Sequence, residues 1–350
     1  MTDNWNLLGH EWAVDMLQQQ VAREEVRHAY LFCGPPGLGR RTLALRFAQA
    51  LNCSTPITAG IPCGTCRDCK HIEAMQHTDL SIIEPTIKDK DNSKILIPGL
   101  NGEIRIEQIR DLQKAIHLKP YQTKYRVLIF LRFNQSNEQA ANALLKTLEE
   151  SPAHAILILT TDTPETLLPT IVSRCEVLRL RPLPTSAIES DLLKRGVDEE
   201  HARLLAHISS GRPGYARKLI DDGTLLEERE TRLNDLQSLL SASRIQKFSY
   251  AASLDNEEKE AKNKNKPSVI RKVILIWLSY WRDVMLRVAG AETPLTNIDR
   301  NMEIEFLAGR LNLTTARRVV ADLESTLEKM DKNVNSKLLA EVLLLDWPKV

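Results

Sequence analysis

Four cysteines, Cys53, Cys63, Cys66 and Cys69, are spaced C-x9-C-x2-C-x2-C, and a glycine loop lies just upstream of them, Gly34-Pro-Pro-Gly37-Leu-Gly39-Arg40-Arg41-Thr42. The loop has the frame of a phosphate-cradling turn but lacks its working residues. Such a turn needs G-x-x-x-x-G-K-[ST], with glycine N–H groups around the phosphates, a lysine for the β- and γ-phosphates and a hydroxyl for magnesium. Gly34, Gly37 and Gly39 supply the frame, while Arg40 stands in the lysine position and Arg41 in the hydroxyl position. An arginine keeps the charge, but its flat fork is bulkier and differently hydrated than an ammonium. Magnesium also needs an acid at the end of a neighbouring strand. The run Arg126-Val-Leu-Ile-Phe-Leu-Arg132 ends instead in Leu131 and Arg132. The expectation is a nucleotide site kept in shape and lost in chemistry, with ATP binding not expected.

The cysteine spacing suits tetrahedral zinc with four thiolates. A closed sphere of four sulfurs makes such a metal structural, because no position is left for water. Four unrelated thiols would rarely fall this densely. An iron–sulfur cluster is the sharper rival, since Cys-x-x-Cys-x-x-Cys also opens ferredoxin motifs, but there a fourth cysteine follows closely and precedes proline. Here Cys69 is followed by Lys70-His71-Ile72, which favours Zn2+. Cys33 and Cys175 fall in or beside strand-like runs and read as packed thiols.

Elements able to hold these residues alternate through the first half of the chain. Short apolar runs at 30–33, 80–83, 126–131, 155–160 and 176–180 read as strands. Between them, 42–51 places Leu43, Phe47, Ala48 and Leu51 on one helical face, and 106–116 does the same with Ile106, Ile109, Leu112 and Ile116. A third helix is expected to open at a capping box on Ser136 and to stop before Ser151-Pro152. Strands alternating with helices predict a parallel sheet covered on both faces. After Pro182-Leu-Pro184 the strand signal ends. A small helical unit follows, interrupted at Gly211-Arg-Pro-Gly214, and then a second helical region. Its lysine- and asparagine-rich stretch 255–266 reads as a loop or frayed helix end. The organisation expected is an α/β domain at 1–183 with a zinc module at 53–69, a small helical lid at 184–245, and a helical collar at 246–350.

With a net charge of +1, no overall basicity argues for tight autonomous binding to nucleic acid. The most apolar window, 273–278, is six residues flanked by charges, far short of the roughly 20 needed to span a membrane. It reads as a buried helix, with Trp277 and Trp281 as core or interface residues. The polar opening of the chain shows no export signal, and metal-spaced cysteines suit a cytoplasmic setting.

A set of segments then appears in fixed order: Gly9, His28-Ala-Tyr-Leu-Phe32, the glycine loop, the cysteine cluster, 106–110, 137–150 and Leu168-Pro-Thr-Ile-Val-Ser-Arg-Cys175. Together they resemble the clamp-loader subunits of bacterial DNA polymerase III, a branch of the AAA+ superfamily. The likeness is dense over 1–220 and thinner to the C-terminus, where Asn333-Val-Asn335 through Leu345 resembles the end of the delta-prime branch. The ATP-hydrolysing gamma/tau motors of this family share the cysteine cluster and the Ser-Arg-Cys motif. They keep the loop lysine and threonine, the acids after the third strand, and an arginine where Gly214 stands here. The delta-prime branch is therefore the better match.

The resemblance implies an AAA+ α/β domain followed by two all-α domains, and a stator in a five-subunit ring with gamma/tau motors and a delta subunit. It implies work on a sliding clamp and primer-template DNA, and an arginine finger at Arg174, within Ser173-Arg174-Cys175, reaching the γ-phosphate held by a neighbour. The bland alternative for Arg174 is a pair with a surface acid. Two other readings compete with the whole account. One is a divergent gamma/tau-like motor that hydrolyses ATP despite Arg40. The other is a zinc-containing DNA adaptor outside the clamp loader, for which Arg67, Lys70 and His71 are offset by Asp68 and Glu73.

Overall fold

A computed structural model describes residues 4–88, 96–99, 102–332 and 334–348. Asn333 of the C-terminal motif lies outside the described residues. Two compact units emerge, the first comprising Met1–Asp191 with Gly211–Tyr215, the second Leu192–Ser210 with Ala216–Val350.

The first unit is built on five parallel strands: β1 (Ala29–Cys33), β2 (Leu80–Ile83), β5 (Arg126–Phe130), β6 (Ala155–Thr161) and β7 (Glu176–Arg179). They lie side by side in the order β2-β5-β6-β1-β7. A short antiparallel pair, β3 (Thr86–Lys88) and β4 (Leu96–Pro98), stands apart from this sheet and was not foreseen, since three-residue strands carry almost no periodic signal. The central strands β1 and β6 are buried along their whole length, as parallel strands covered on both faces must be. Their alternating side chains feed two separate cores. Tyr30, Phe32, Ile156 and Ile158 meet Leu43, Phe47 and Leu51 of α2 (Arg40–Asn52) and Val14 and Leu17 of α1 (Glu11–Ala22). Leu31, Leu128, Phe130 and Leu157 meet Ile109, Leu112 and Ile116 of α4 (Ile106–Ile116) and Leu144 and Leu148 of α5 (Glu138–Glu149). The expected α/β arrangement, a parallel sheet with helices on both faces, is thus present, with a short helix α3 (Arg67–Glu73) beside the cysteines and another, α6 (Pro169–Val172), before β7.

Two local expectations need correction. The cap of α5 is Asn137, whose side chain accepts the Ala140 N–H at 2.8 Å, and Ser136 does not fill that role. The polar stretch 255–266 is helical through Asn263, as the last turns of α11 (Arg244–Asn263). Its charges pair along the helix, Lys259 with Asp255 and Lys262 with Glu258, while Leu254 and Ala261 turn inward. Composition misled because helical i,i+4 pairing can solvate one face of a helix that packs on the other.

After α7 (Thr185–Lys194), α8 (Glu199–Ser209) and α9 (Pro213–Asp221), the remaining helices are α10 (Thr224–Ser241), α11, α12 (Val269–Val288), α13 (Asn301–Ala308), α14 (Leu313–Asp331) and α15 (Ser336–Leu345). One core joins Leu233, Leu236 and Leu240 of α10 to Leu254, Val273, Trp277, Trp281, Leu323 and Leu344. Helix α10, placed with the lid by the sequence, shares its core with the later helices. Trp277 and Trp281 are fully buried, each with its ring edge-on to Trp347. Among the described residues no helix is long and apolar enough to cross a membrane.

Candidate nucleotide-loop and metal sites

The glycine loop leaves the C-terminal end of β1 and enters α2, where a phosphate would meet a helix N-terminus. Gly34, Gly37 and Gly39 all adopt positive φ, at 146°, 91° and 99°. At Gly37 a further constraint acts, because a Cβ would lie 3.1 Å from the Tyr215 nitrogen. The segment Gly211–Tyr215 therefore closes directly on the loop. Gly214 donates its N–H to the Gly37 carbonyl at 2.8 Å, and a Cβ at 214 would sit 2.9 Å from that same oxygen. An arginine at 214 does not fit this contact without displacement. The neighbouring Arg212 turns its guanidinium over the Tyr215 ring, 4.7 Å from the centroid.

Arg40 is buried, 9% exposed, and its Nη2 lies 2.8 Å from a carboxylate oxygen of Asp162, the residue after β6. Its Nη1 is buried without a protein partner. The cation in the lysine position is thus matched by an internal anion, and the same carboxylate opposes an incoming phosphate. Arg41 is exposed, its Nη2 2.7 Å from the Met75 sulfur. At the end of β5, Leu131 is buried. Arg132 holds a left-handed backbone with its N–H donated to the Thr160 hydroxyl, and its guanidinium lies 3.7 Å from Glu84. Burial holds the Arg132 guanidinium below its usual range, opposed by Glu84 and Asp162. No carboxylate occupies either position where an acidic pair was sought.

The four cysteines converge. Their sulfurs all lie within 4.8 Å of one another, with Cys53 and Cys63 at 3.5 Å and Cys53 and Cys66 at 3.9 Å. A tetrahedron with metal–sulfur bonds of about 2.3 Å has edges near 3.8 Å. Backbone N–H groups point at the sulfurs: Cys66 to Cys63 at 3.2 Å, Cys63 to Cys53 at 3.3 Å, Cys69 to Cys66 at 3.4 Å. These donors favour thiolate over thiol, as a metal requires. The Thr55 hydroxyl, with the N–H groups of Cys66 and Thr65, pulls the Cys63 thiol down to about 5, while burial pushes Cys69 up. The donor set fits a closed, four-sulfur site that could hold a metal ion. Cys33 and Cys175 stand outside it, and burial raises both thiols, Cys33 to about 11 and Cys175 to about 12.

Arg174 follows α6 by two residues and is about one-third exposed. Nη1 donates to the Thr170 carbonyl at 2.9 Å, and Nη2 meets Glu149, the last residue of α5, at 2.5 Å. A surface acid does pair with it in the isolated chain.

Residues 9–184 match a protein family described as "DNA polymerase III, delta subunit", and residues 224–349 match "DNA polymerase III, delta subunit, C terminal". The chain is 31% identical over 348 residues to the DNA polymerase III subunit delta' of Pseudomonas aeruginosa, covering 97% of each. It belongs to the delta-prime subunits of DNA polymerase III. The delta' subunit of Bacillus subtilis is 34% identical over 196 residues, 56% of this chain and 54% of that one. The tau subunit of Salmonella typhimurium is 33% identical over 196 residues, 56% of this chain and 28% of that one.

Within this delta-prime chain, sequence reasoning located the loop, the cysteines and Arg174 but missed their partners. Asp162 and Glu149 are ordinary acids until the sheet order sets β6 beside β1 and the end of α5 near α6. Only the Thr160-Thr161-Asp162 ending of a strand-like run offered a hint for the first.

Proposed function

We propose that this chain is a non-hydrolysing stator of the clamp loader, assembling with gamma/tau motor subunits and a delta subunit to load a sliding clamp onto primed DNA in the cytoplasm. The observation that carries the reading is the closure of the glycine loop by the chain's own groups. Arg40 is neutralised by Asp162, and Gly37 is engaged by Gly214. Hydrolysis in this fold needs a lysine on the phosphates and an acid-held magnesium, and neither has a residue here.

In this role Arg174 acts in trans. A guanidinium offers fixed donors to charge that develops during phosphoryl transfer, and such fingers contribute about 10³–10⁵ in rate. Its partial exposure and its exchangeable partner Glu149 support a residue able to leave for a neighbour's phosphate. The four cysteines would hold Zn2+ as a structural ion, with all four positions filled by protein and no role in the reaction.

The test is ATP hydrolysis by a ring rebuilt from the cognate motor and delta subunits with clamp and primed DNA. Silence of the isolated chain, with ring activity that falls sharply in Arg174→Ala, is the expected result. Turnover by the isolated chain would make it a motor. Full ring activity with Arg174→Ala would remove the finger and leave the assembly role.

A further inference from the structure

The metal knuckle is bonded into the α/β unit on two sides, and α3 is common to both. Cys66 caps this helix and Cys69 lies inside it. On the first side stands Gln49 of α2, which is 1% exposed. Its Nε2 donates to the Cys69 carbonyl at 2.8 Å and to Glu73 at 3.0 Å, while Arg46 pairs with Glu73 at 2.7 Å. On the second side stands His77, which is buried. Its Nδ1 accepts the Asp79 N–H at 3.0 Å, which leaves the proton on Nε2, 3.3 Å from Asp68 of α3. Asp79, buried in turn, accepts the N–H groups of Tyr121, Gln122 and Thr123 at 2.6, 3.0 and 3.1 Å. The Gln122 side-chain amide donates to the same Asp68 carboxylate at 3.5 Å.

Helix α3 has seven residues, two turns, and is too short to persist on its own. Beyond these contacts and the buried Ile72, its place is set by what joins Cys66 and Cys69 to Cys53 and Cys63. Helix α2 runs from the glycine loop to this contact, with Arg40 at one end and Gln49 about 14 Å further along the axis. In a nucleotide-binding domain, bound phosphate steadies the N-terminus of such a helix. Here Arg40 and Asp162 hold its front, and the knuckle holds its rear.

We propose that metal occupancy of the four cysteines fixes both the glycine-loop helix α2 and the 121–123 turn, with Gln49 and His77 as the positioning residues that carry the coupling. The inference rests on the metal reading above. Coupling of this kind is reciprocal, so weakening the Gln49 contact must also weaken metal binding.

The test uses the full chain, loaded with one zinc and then stripped with a chelator, and reads amide hydrogen exchange segment by segment. Stripping is expected to raise exchange at 40–52 and 121–123 as well as at 53–73, with 106–116 unchanged. Gln49→Leu is expected to bind zinc about tenfold more weakly, and its 40–52 exchange should no longer respond to the metal. Should stripping unfold the whole unit, zinc-loaded Gln49→Leu against zinc-loaded wild type decides the matter through affinity and exchange at 40–52. One zinc bound, with exchange changes confined to 53–73, overturns the coupling and leaves the metal site intact. Failure to take up zinc overturns both.

Discussion

The guanidinium of Arg40 and the carboxylate of Asp162 meet at 2.8 Å where α2 begins, and they are buried unequally, at 9% and 44% side-chain exposure. This inequality makes the pair asymmetric to mutation. Asp162→Asn leaves a buried guanidinium without its counter-charge, whereas Arg40→Met leaves a half-solvated carboxylate that water can serve. Removing one partner of a fully buried pair costs about 3–5 kcal/mol, and partial exposure reduces this. The expected loss is about 1–3 kcal/mol for Asp162→Asn and under about 1 kcal/mol for Arg40→Met, read by urea unfolding of the α/β unit. Equal losses would mean the pair does not balance the buried charge.

Restoring the loop residues alone will not restore the chemistry. Arg40→Lys with Arg41→Thr supplies the lysine and the hydroxyl, yet Leu131 and Arg132 still stand where magnesium needs an acid, and Gly214 still engages Gly37. The double variant is expected to remain silent in a steady-state ATPase assay without partner subunits. Measurable turnover would show that the lysine and the hydroxyl were the only missing parts.

If Arg174 reaches a neighbour's phosphate as proposed, Glu149, which pairs with it here, must give it up. Half-exposed ion pairs of this kind are worth about 0.2–1 kcal/mol, so freeing the guanidinium with Glu149→Gln raises hydrolysis by the reconstituted ring no more than about fivefold. The rate is measured without clamp or DNA, beside Arg174→Ala. A fall in rate would instead mark Glu149 as the group that aims the arginine.

Asp79 carries a pH dependence that can be worked out in sign. Burial raises its carboxyl, but the N–H groups of Gln122 and Tyr121 and the hydroxyl and N–H of Thr123 outweigh it and hold it below the usual value. A depressed native value stabilises the fold above the unfolded value of about 3.9. That contribution disappears as pH falls through the native value. Asp79→Asn should therefore flatten the acid limb below about pH 4 in unfolding measured by tyrosine and tryptophan fluorescence. An unchanged acid limb would assign the pH response to other carboxylates.

The contrast between what the sequence disclosed and what it hid has a physical basis. Strands 80–83 and 126–130 and helix 106–116 were legible because their apolar spacing is set by burial on two faces of one sheet. Cys53, Cys63, Cys66 and Cys69 were legible because a closed four-sulfur cluster able to hold a metal ion needs short, regular spacing along the chain. Asp162, Glu149, His77 and Gln49 were not, because each is paired with a residue between 9 and 122 positions away. Such pairings depend on topology, and one carboxylate or amide looks like any other until the fold selects it. The stretch 255–266 failed differently: its polarity is real but belongs to one face of a helix.

The helical unit offers a last, independent prediction. Asp283 of α12 is 2% exposed and accepts three hydrogen bonds, from the N–H groups of Asn297 at 2.7 Å and Thr296 at 3.1 Å and from the Asn297 side chain at 2.8 Å. Asn297 then accepts from Arg229, whose guanidinium also grips Asp299 through two bonds of 2.7 and 2.8 Å. The segment between α12 and α13 is thus held by this buried acid as well as by Leu295, which is 3% exposed in the helical core. Removing the carboxylate leaves buried donors unmatched and frees the Asn297 amide from its orientation toward Arg229. Each such group costs about 1–3 kcal/mol, so Asp283→Ala should lower stability by about 2–4 kcal/mol. Asp283→Asn, which keeps an acceptor, should lose roughly half as much. Exchange measured by segment separates this from the α/β unit: protection should fall at 291–300 and along α10 while β1 and β6 stay protected. A loss below about 0.5 kcal/mol for Asp283→Ala, the range of ordinary surface substitutions, would mean that water replaces the acid and that the network does not hold the segment.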